Sequence, residues 1–421
     1  MKYNPINHDK TFIIFICKMK QILLFSIFAL VSFCGIAQNK KPREKFIING
    51  KFVGENTHFV YLRYLDYRGK YIQDTCIINN GIFSFTGYLK EPNLAYLIGN
   101  IKTSEENDPN NIQLFIEPGV IKIELTENKF KQAKITGSHI QKDFELLQKK
   151  KDPINKIINS LLLQRNKNYN SFDITTDKQL RNKLGKRLDS IKTLMYIFQQ
   201  KAYKLDYIYI TSNPSSYISS YLLSYLDHYL PFDSVKLLYG NLEQNVKKSF
   251  FGNLLGSRIR IKENTQIGCL APDFNAIEAN GNPLSLSNFK GKSVVLLDFW
   301  ASWCTPCRAL SPHLKKLYNN YHSNGFDIIG IATNDNKEAW LKAIKEDSLD
   351  LWHNIPFVKD FKKINANKSG IDDLSTKYEI NPIPIQILIN KNGIIVGRWD
   401  GNNEENQKEL DKKLAELIII E

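Results

Sequence analysis

The feature that most constrains this chain is the passage Val294-Val-Leu-Leu-Asp-Phe-Trp-Ala-Ser-Trp-Cys-Thr-Pro-Cys-Arg308. Its apolar, β-branched start, Val294 to Leu297, reads as a buried strand. The chain then runs without a long loop through Cys304-Thr-Pro-Cys307 into helix formers, Arg308 to Leu310 and Leu314 to Leu317. This part must therefore fold as α/β, with two thiols held where the strand gives way to the helix. The first sulfur falls at the helix N-terminus, where unpaired N–H groups and the macrodipole favour a thiolate. The second lies one turn further in, within reach of a mixed disulfide on the first. Pro306 suits a first helical turn, where its missing N–H is no loss.

A bare Cys-x-x-Cys also serves as half a zinc site, which needs two more nitrogen or sulfur ligands at similar spacing. Cys17, Cys34, Cys76 and Cys269 form no second such pair, and no two histidines stand at ligand spacing. Redox chemistry is the reading, with no metal and no other cofactor expected.

At these residues the sequence resembles the thioredoxin superfamily, and more narrowly the TlpA/ResA-type thiol-disulfide oxidoreductases of bacterial cell envelopes. The resemblance covers Ile267 to about Ile419. It rests on Ala271-Pro-Asp-Phe274, Leu284-Ser-Leu-Ser-Asn-Phe-Lys-Gly291, Asp298 to Cys307, and Ile383-Pro-Ile-Gln-Ile-Leu-Ile-Asn-Lys-Asn-Gly393. It implies a thioredoxin-like α/β domain in which exposed Cys304 attacks a substrate disulfide and Cys307 resolves the product. Ile383-Pro384 resembles the family's cis-proline turn, and an X-Pro bond tolerates cis at about 0.5–1 kcal/mol. There Ile383 would offer backbone groups to an extended substrate, with Trp303 beside the thiols. Relatives commonly carry Glu three residues after the second cysteine, where this chain has Leu310. Asp298, six residues before Cys304, stands where thioredoxin itself has its buried acid, which implies proton exchange with Cys307. Its neighbours Leu297, Phe299 and Trp300 predict a pKa raised by desolvation.

The partners so implied are disulfide-containing proteins, apocytochrome c among them, and a membrane thiol-electron donor. A peroxiredoxin shares the Ala-Pro-Asp-Phe start but would place one cysteine after Pro-x-x-x-Thr, which is missing. A non-enzymatic assembly protein on the same scaffold would have no use for an intact Cys304/Cys307 pair.

Before this region the chain changes character twice. From Phe46 to Leu125 the period is two, with Asn80-Gly81 and Pro118-Gly119 supplying hairpin turns. The latter joins Leu114-Phe-Ile116 to Ile121-Lys-Ile-Glu-Leu125. Residues 46–136 thus read as a small antiparallel β-sandwich, similar to the β-rich domain of unknown function that precedes many envelope thioredoxin-like domains. Cys76 lies in its strand Tyr71 to Ile78 as a packed small hydrophobe. Residues 138–263 are rich in Lys, Leu, Tyr and Gln with apolar residues at helical spacing, a helical linker or spacer suited to homodimerisation. Tyr217, Ile218, Tyr221, Leu222 and Tyr225 fall on the apolar side of one helix. The thioredoxin-like domain takes 267–421. Past a helix kinked at Pro312, it carries the strand Phe326 to Ala332 and a helix near Glu338 to Lys345. An irregular stretch over 347–368 with Trp352 and a satisfied His353 comes next, then a helix from Ile371 to Tyr378. Cys269 reads as a free thiol in the linker, with Cys76 its alternative partner.

With 421 residues the chain exceeds one ordinary core. Hydrophobic content of 43% against 24% charged describes a globular protein. The formal charge is +14; residues 1–37 hold +3 of it, and the remaining +11 reads as spread thinly through Lys-rich helices as solvated faces, with an anionic partner or membrane surface as the alternative reading. No aromatic-basic nucleic-acid motif is present. The N-terminus reads as an export signal over residues 1–37, with Met19-Lys20 a plausible true start. An apolar Ile22 to Phe33 and a small-x-small Gly35-Ile-Ala37 complete it. A transmembrane anchor needs roughly 20 apolar residues, more than this stretch has. Lipidation at Cys34 is the other alternative, against which stands bulky Phe33. All three place the protein outside the cytosol, in the periplasm or cell envelope.

Overall fold

The computed structural model describes residues 43–100, 108–356, 374–380 and 382–419. The expected export signal, Cys17 and Cys34 lie outside them, as do Ile371 to Asp373 of an expected helix. Among the described residues no helix is long and apolar enough to cross a membrane.

Two four-stranded sheets face each other at the N-terminal end. One orders β4 (Ile82–Leu89), β1 (Glu44–Val53), β7 (Gly119–Thr126) and β8 (Lys134–Thr136). The other orders β3 (Tyr71–Ile77), β2 (Phe59–Leu65), β5 (Asn93–Ile98) and β6 (Asn111–Ile116). Alternate residues point inward, so Phe46, Ile48, Phe52, Leu62, Phe83, Phe85, Leu114 and Ile121 fill the space between the sheets. Gly50 opposes Phe83 in the β1/β4 register, and a Cβ there would lie 2.0 Å from the ring. The β-sandwich is antiparallel except where β1 and β7 run side by side in parallel.

That exception follows from how the turns are used. Asn79 and Ile82 exchange backbone hydrogen bonds around Asn80 (φ 50°) and Gly81 (φ 72°), the reversal their chemistry demands. Yet β3 and β4 then part into different sheets. Pro118-Gly119 likewise does not close the expected hairpin; it passes the chain from β6 in one sheet to β7 in the other. Local turn chemistry sets a reversal, whereas the inward faces of both sheets decide which neighbour each strand takes.

The helices that follow are α1 (His139–Ile174), α2 (Lys178–Ser212), α3 (Tyr217–Leu226), α4 (Phe232–Asn241) and α5 (Phe250–Asn264). Ser138, Asp177, Ser216 and Ser249 accept backbone N–H groups at the starts of α1, α2, α3 and α5. These helices share a core with the sandwich rather than standing off as a spacer. Phe115 of β6 packs on Phe144 (5.1 Å) and Tyr221 (5.8 Å), and its N–H donates to Gln141 Oε1 at 2.8 Å. The edge of the second sheet is thereby covered. Ile218 and Leu222 are buried as expected, while Tyr225 lies at the surface beside Tyr203 and Tyr229. Lys151 of α1 and Asp206 of α2 form a buried ion pair at 2.7 Å.

The C-terminal part is the thioredoxin-like α/β layer. Its sheet orders β13 (His353–Ile355), β12 (Phe326–Ala332), β11 (Val294–Trp300), β14 (Ile385–Ile389) and β15 (Ile395–Asp400). β11 is parallel to β12 and antiparallel to β14. Every residue of β11 is buried, which explains why the strand is apolar throughout except at Asp298. One face carries Val294, Leu296 and Trp300 against α6 (Thr305–Tyr321), α7 (Lys337–Glu346) and α8 (Glu404–Ile419). The other carries Val295, Leu297 and Phe299 under the hairpin β9 (Asn275–Ile277) and β10 (Pro283–Ser285). Helix α6 runs unbroken through Pro312. Strand β13 replaces part of the irregular stretch expected over 347–368, because its three residues have no period of their own and gain order from pairing with Ile329–Ile331.

Candidate active site

Strand β11 ends at Trp300, and Ala301-Ser302-Trp303 turns the chain into α6. Asp335 holds this turn, accepting from the Ser302 hydroxyl at 2.7 Å and from the Ser302 N–H. The Trp303 indole donates to Asn334 O at 3.1 Å, yet its side chain stands 61% exposed. Cys304 is the N-cap of α6, and its sulfur accepts from the Cys307 N–H at 3.3 Å. Pro306 occupies the first turn, its carbonyl accepting from Asn402 Nδ2 at 2.9 Å. Cys304 and Cys307 are joined as a disulfide. Arg308, the nearest cation in sequence, is taken up by Asp347 (2.7 and 2.8 Å) and Glu346 (3.0 Å), tying α6 to the end of α7.

Cys304 is not exposed as expected: it is 4% accessible and belongs to the same buried cluster as Cys307, Leu310 and Trp300. In the disulfide form Cys304 is buried, and the neighbouring Trp303 is the exposed side chain. Leu310 fills the cluster one turn beyond Cys307, so no carboxylate stands there. Ile383 packs against this cluster too, and the Ile383–Pro384 peptide is cis. Pro384 O accepts from Gly401 N at 2.8 Å. The fold thus brings Cys304, Cys307 and Ile383, some 80 residues apart in sequence, to one end of the sheet.

Asp298 is buried. By alternation it shares the face of β11 that carries Leu296 and Trp300 under α6. Burial pushes its pKa up to about 6, offset only in part by Gln386 Nε2, which donates to Asp298 Oδ1 at 2.8 Å. Gln386 went unseen in the sequence, as did Arg398, whose guanidinium donates to Tyr378 O (2.9 Å) and Glu379 O (3.0 Å). It thereby holds Glu379 at φ 50° ahead of the Ile383–Pro384 turn. Gln386 could have been found from its place as the one polar residue in an apolar strand. Arg398 and Asp335 have no such signal, since their partners lie 19 to 33 residues away.

Cys76 and Cys269 are unpaired thiols in the structure, and Cys269 Sγ donates to Glu263 O at 3.3 Å. His353 is half-buried against Phe289. Its Nδ1 lies 2.8 Å from Glu278 and its Nε2 3.7 Å from Asp327. Asp327 and Glu278 together raise its pKa to about 9, against the opposing effect of burial.

Residues 266–414 match the Redoxin family model, and residues 46–144 match that of a domain of unknown function, DUF4369. The thiol-disulfide oxidoreductase ResA of a Bacillus cereus strain is 31% identical over 148 residues, which are 35% of this chain and 78% of that protein. ResA of Bacillus subtilis is 31% identical over 145 residues, 34% of this chain and 73% of its own. A crystallised thioredoxin domain of a thiol-disulfide oxidoreductase from Bacteroides vulgatus is 33% identical. That match covers 35% of this chain and 97% of that one, with a TM-score of 0.30.

Proposed function

The chain belongs to the ResA-type thiol-disulfide oxidoreductases of the thioredoxin superfamily, and from that premise we propose that it is a cell-envelope reductase of protein disulfides. The observation that supports the reading is the pair of sulfurs joined at the first turn of α6, in the buried cluster that Ile383 packs against. The unit that does the chemistry is taken as 267–421, with 46–136 and 138–263 ahead of it.

The Cys304 thiolate attacks one sulfur of the substrate disulfide, forms a mixed disulfide and expels the other sulfur as thiolate. The Cys307 thiolate then attacks Cys304 Sγ, closing the internal disulfide and releasing the second substrate thiol. Two electrons pass to the substrate, and a membrane thiol donor must return them. For a thiol at a helix N-terminus in general, a pKa lowered from about 8.5 to about 7 raises the thiolate fraction at pH 7 from ~3% to ~50%. Nucleophilicity falls about fivefold in exchange, so the net gain is only about threefold. Positioning and leaving-group quality supply the rest. Trp303, Ile383 and Pro384 are the residues that would meet an extended substrate, and Asp298 would accept the Cys307 proton. The pattern of residues 1–37 supports an address outside the cytosol.

Two measurements test this. Cys304→Ser should abolish disulfide reduction, and Cys307→Ser should accumulate mixed disulfides with substrate; trapping on Cys304→Ser instead reverses the roles. The reduction potential of the Cys304–Cys307 couple should lie near the roughly −270 mV of thioredoxin, whereas a value near −120 mV would make the protein an oxidant.

A further inference from the structure

The positive charge is not spread over the molecule. The antiparallel pair α1 and α2, residues 139–212, holds fifteen Lys and Arg against seven Asp and Glu, a net +8 of the chain's +14. After residue 37 everything else together carries only +3. At 36 and 35 residues these helices are each about 50 Å long. Their inner ends join the core under the sandwich through Ile140, Phe144, Leu147 and Ile210. Their outer part is held by a small cluster drawn from the two helices alone: Leu161, Ile191 and Met195, with Leu162 and Phe198.

The outer end, residues 163–187, combines two features. Arg165, Lys167, Lys178, Arg181, Lys183, Lys186 and Arg187 face only Asp173 and Asp177 in opposition, and Asp177 is occupied as the N-cap of α2. Among these cations stand large apolar side chains in solvent: Ile174 at 82% exposed, Leu163 at 72%, Tyr169 at 58%, and Leu180. Large apolar side chains left in solvent among cations mark a surface that something covers.

We propose that this hairpin tip docks the protein on an anionic phospholipid bilayer, Leu163 and Ile174, which share one face of α1, entering the interface while the Lys and Arg heads meet the phosphates. The charge selects the occupant. A second copy would bring one +8 hairpin against another, and a nucleic acid would leave Ile174 and Leu163 without an apolar partner. An anionic bilayer interface takes both at once, with long basic side chains reaching from apolar depth to the headgroups. Such docking would hold the redox site at a membrane face independently of what the N-terminus does, and it does not rest on the direction of electron flow.

The test follows amide hydrogen exchange of the full chain with vesicles of equal parts phosphatidylglycerol and phosphatidylcholine, and with phosphatidylcholine alone. Residues 163–187 should be protected on the anionic vesicles only. That protection should vanish on raising salt from about 0.1 M to about 1 M, as the Debye length shrinks from about 10 Å to about 3 Å. Changing Lys178, Lys183, Lys186 and Arg187 together to Gln should abolish it while insulin reduction stays at the wild-type level. Each basic residue is worth about fivefold in affinity at an anionic surface, so the four together cost on the order of 600-fold. Leu163→Ser with Ile174→Ser provides a second variant, expected to weaken protection without removing its salt dependence. The proposal is overturned by equal protection on neutral vesicles, by protection that survives the four substitutions, or by none on either. Protection without vesicles that grows with protein concentration would assign the tip to a second copy instead.

Discussion

Asp298 would titrate at 3.8 unshifted and sits near 6 once buried, with the Gln386 amide donating to it. The sign of its effect on stability follows from that order. Between about 4 and about 6 the native state binds the proton more tightly than the unfolded chain, so stability falls as pH rises through this window and stays reduced above it. The difference is about 3 kcal/mol at most. Asp298→Asn keeps an oxygen for Gln386 and removes the charge. It should raise stability in denaturant at pH 7, with the gain gone below about pH 4. A Cys307 thiolate facing the carboxylate would raise the Asp298 pKa further in the reduced protein. If Asp298 is the proton acceptor, the same variant should slow resolution of the mixed disulfide by about 10²-fold in single-turnover kinetics. A variant that is more stable yet resolves at the wild-type rate across pH 6 to 8 would leave Asp298 a purely structural acid.

At the level of elements, β13 and the β9/β10 hairpin depend on one titrating side chain. His353 of β13 pairs with Asp327 of β12 and with Glu278 just beyond β9, and its pKa stands near 9 against 6.5 unshifted. A raised histidine contributes stability that is complete below about 6.5 and is lost as pH climbs through about 9. A third of the side chain meets solvent, so screening leaves about 1–2 kcal/mol. Denaturant unfolding of wild type and His353→Gln should differ by that much at pH 6 and converge near pH 10. A constant difference would show that His353 acts by packing on Phe289 alone. This group was legible only as a histidine beside a tryptophan, because Glu278 is 75 residues away in sequence.

For the molecule as a whole, the two clusters that build the C-terminal α/β layer contain no residue before Ala271. A fragment from Gln266 to Glu421 keeps both clusters and the short bridge from Leu270 to Ile394. It should fold and reduce insulin at a rate within a few-fold of the whole chain. Circular dichroism would establish folding, and loss of activity in a folded fragment would assign the N-terminal half a part in the site. What the fragment loses is local: half-buried Glu379, whose pKa burial raises, would lose the nearby Lys262 and Arg258 charges of α5.

The sequence by itself determined whatever is written in contiguous residues. The apolar run of β11, the Cys304–Cys307 spacing at a helix start, the Asn80-Gly81 reversal and the period of the sandwich strands are all local, and each constrains the backbone within a few residues. Even the raised pKa of Asp298 followed from its immediate neighbours. Tertiary structure decided which strands became neighbours across Pro118-Gly119, the burial of Cys304, and the roles of Gln386, Arg398 and Asp335. It also made one hairpin of residues 139–212, whose net +8 can be counted in the sequence itself, and left Leu163 and Ile174 of that hairpin in solvent. Those outcomes depend on which faces meet across long stretches of chain, where the entropy of loop closure is weighed against burial. No short window of sequence carries that balance.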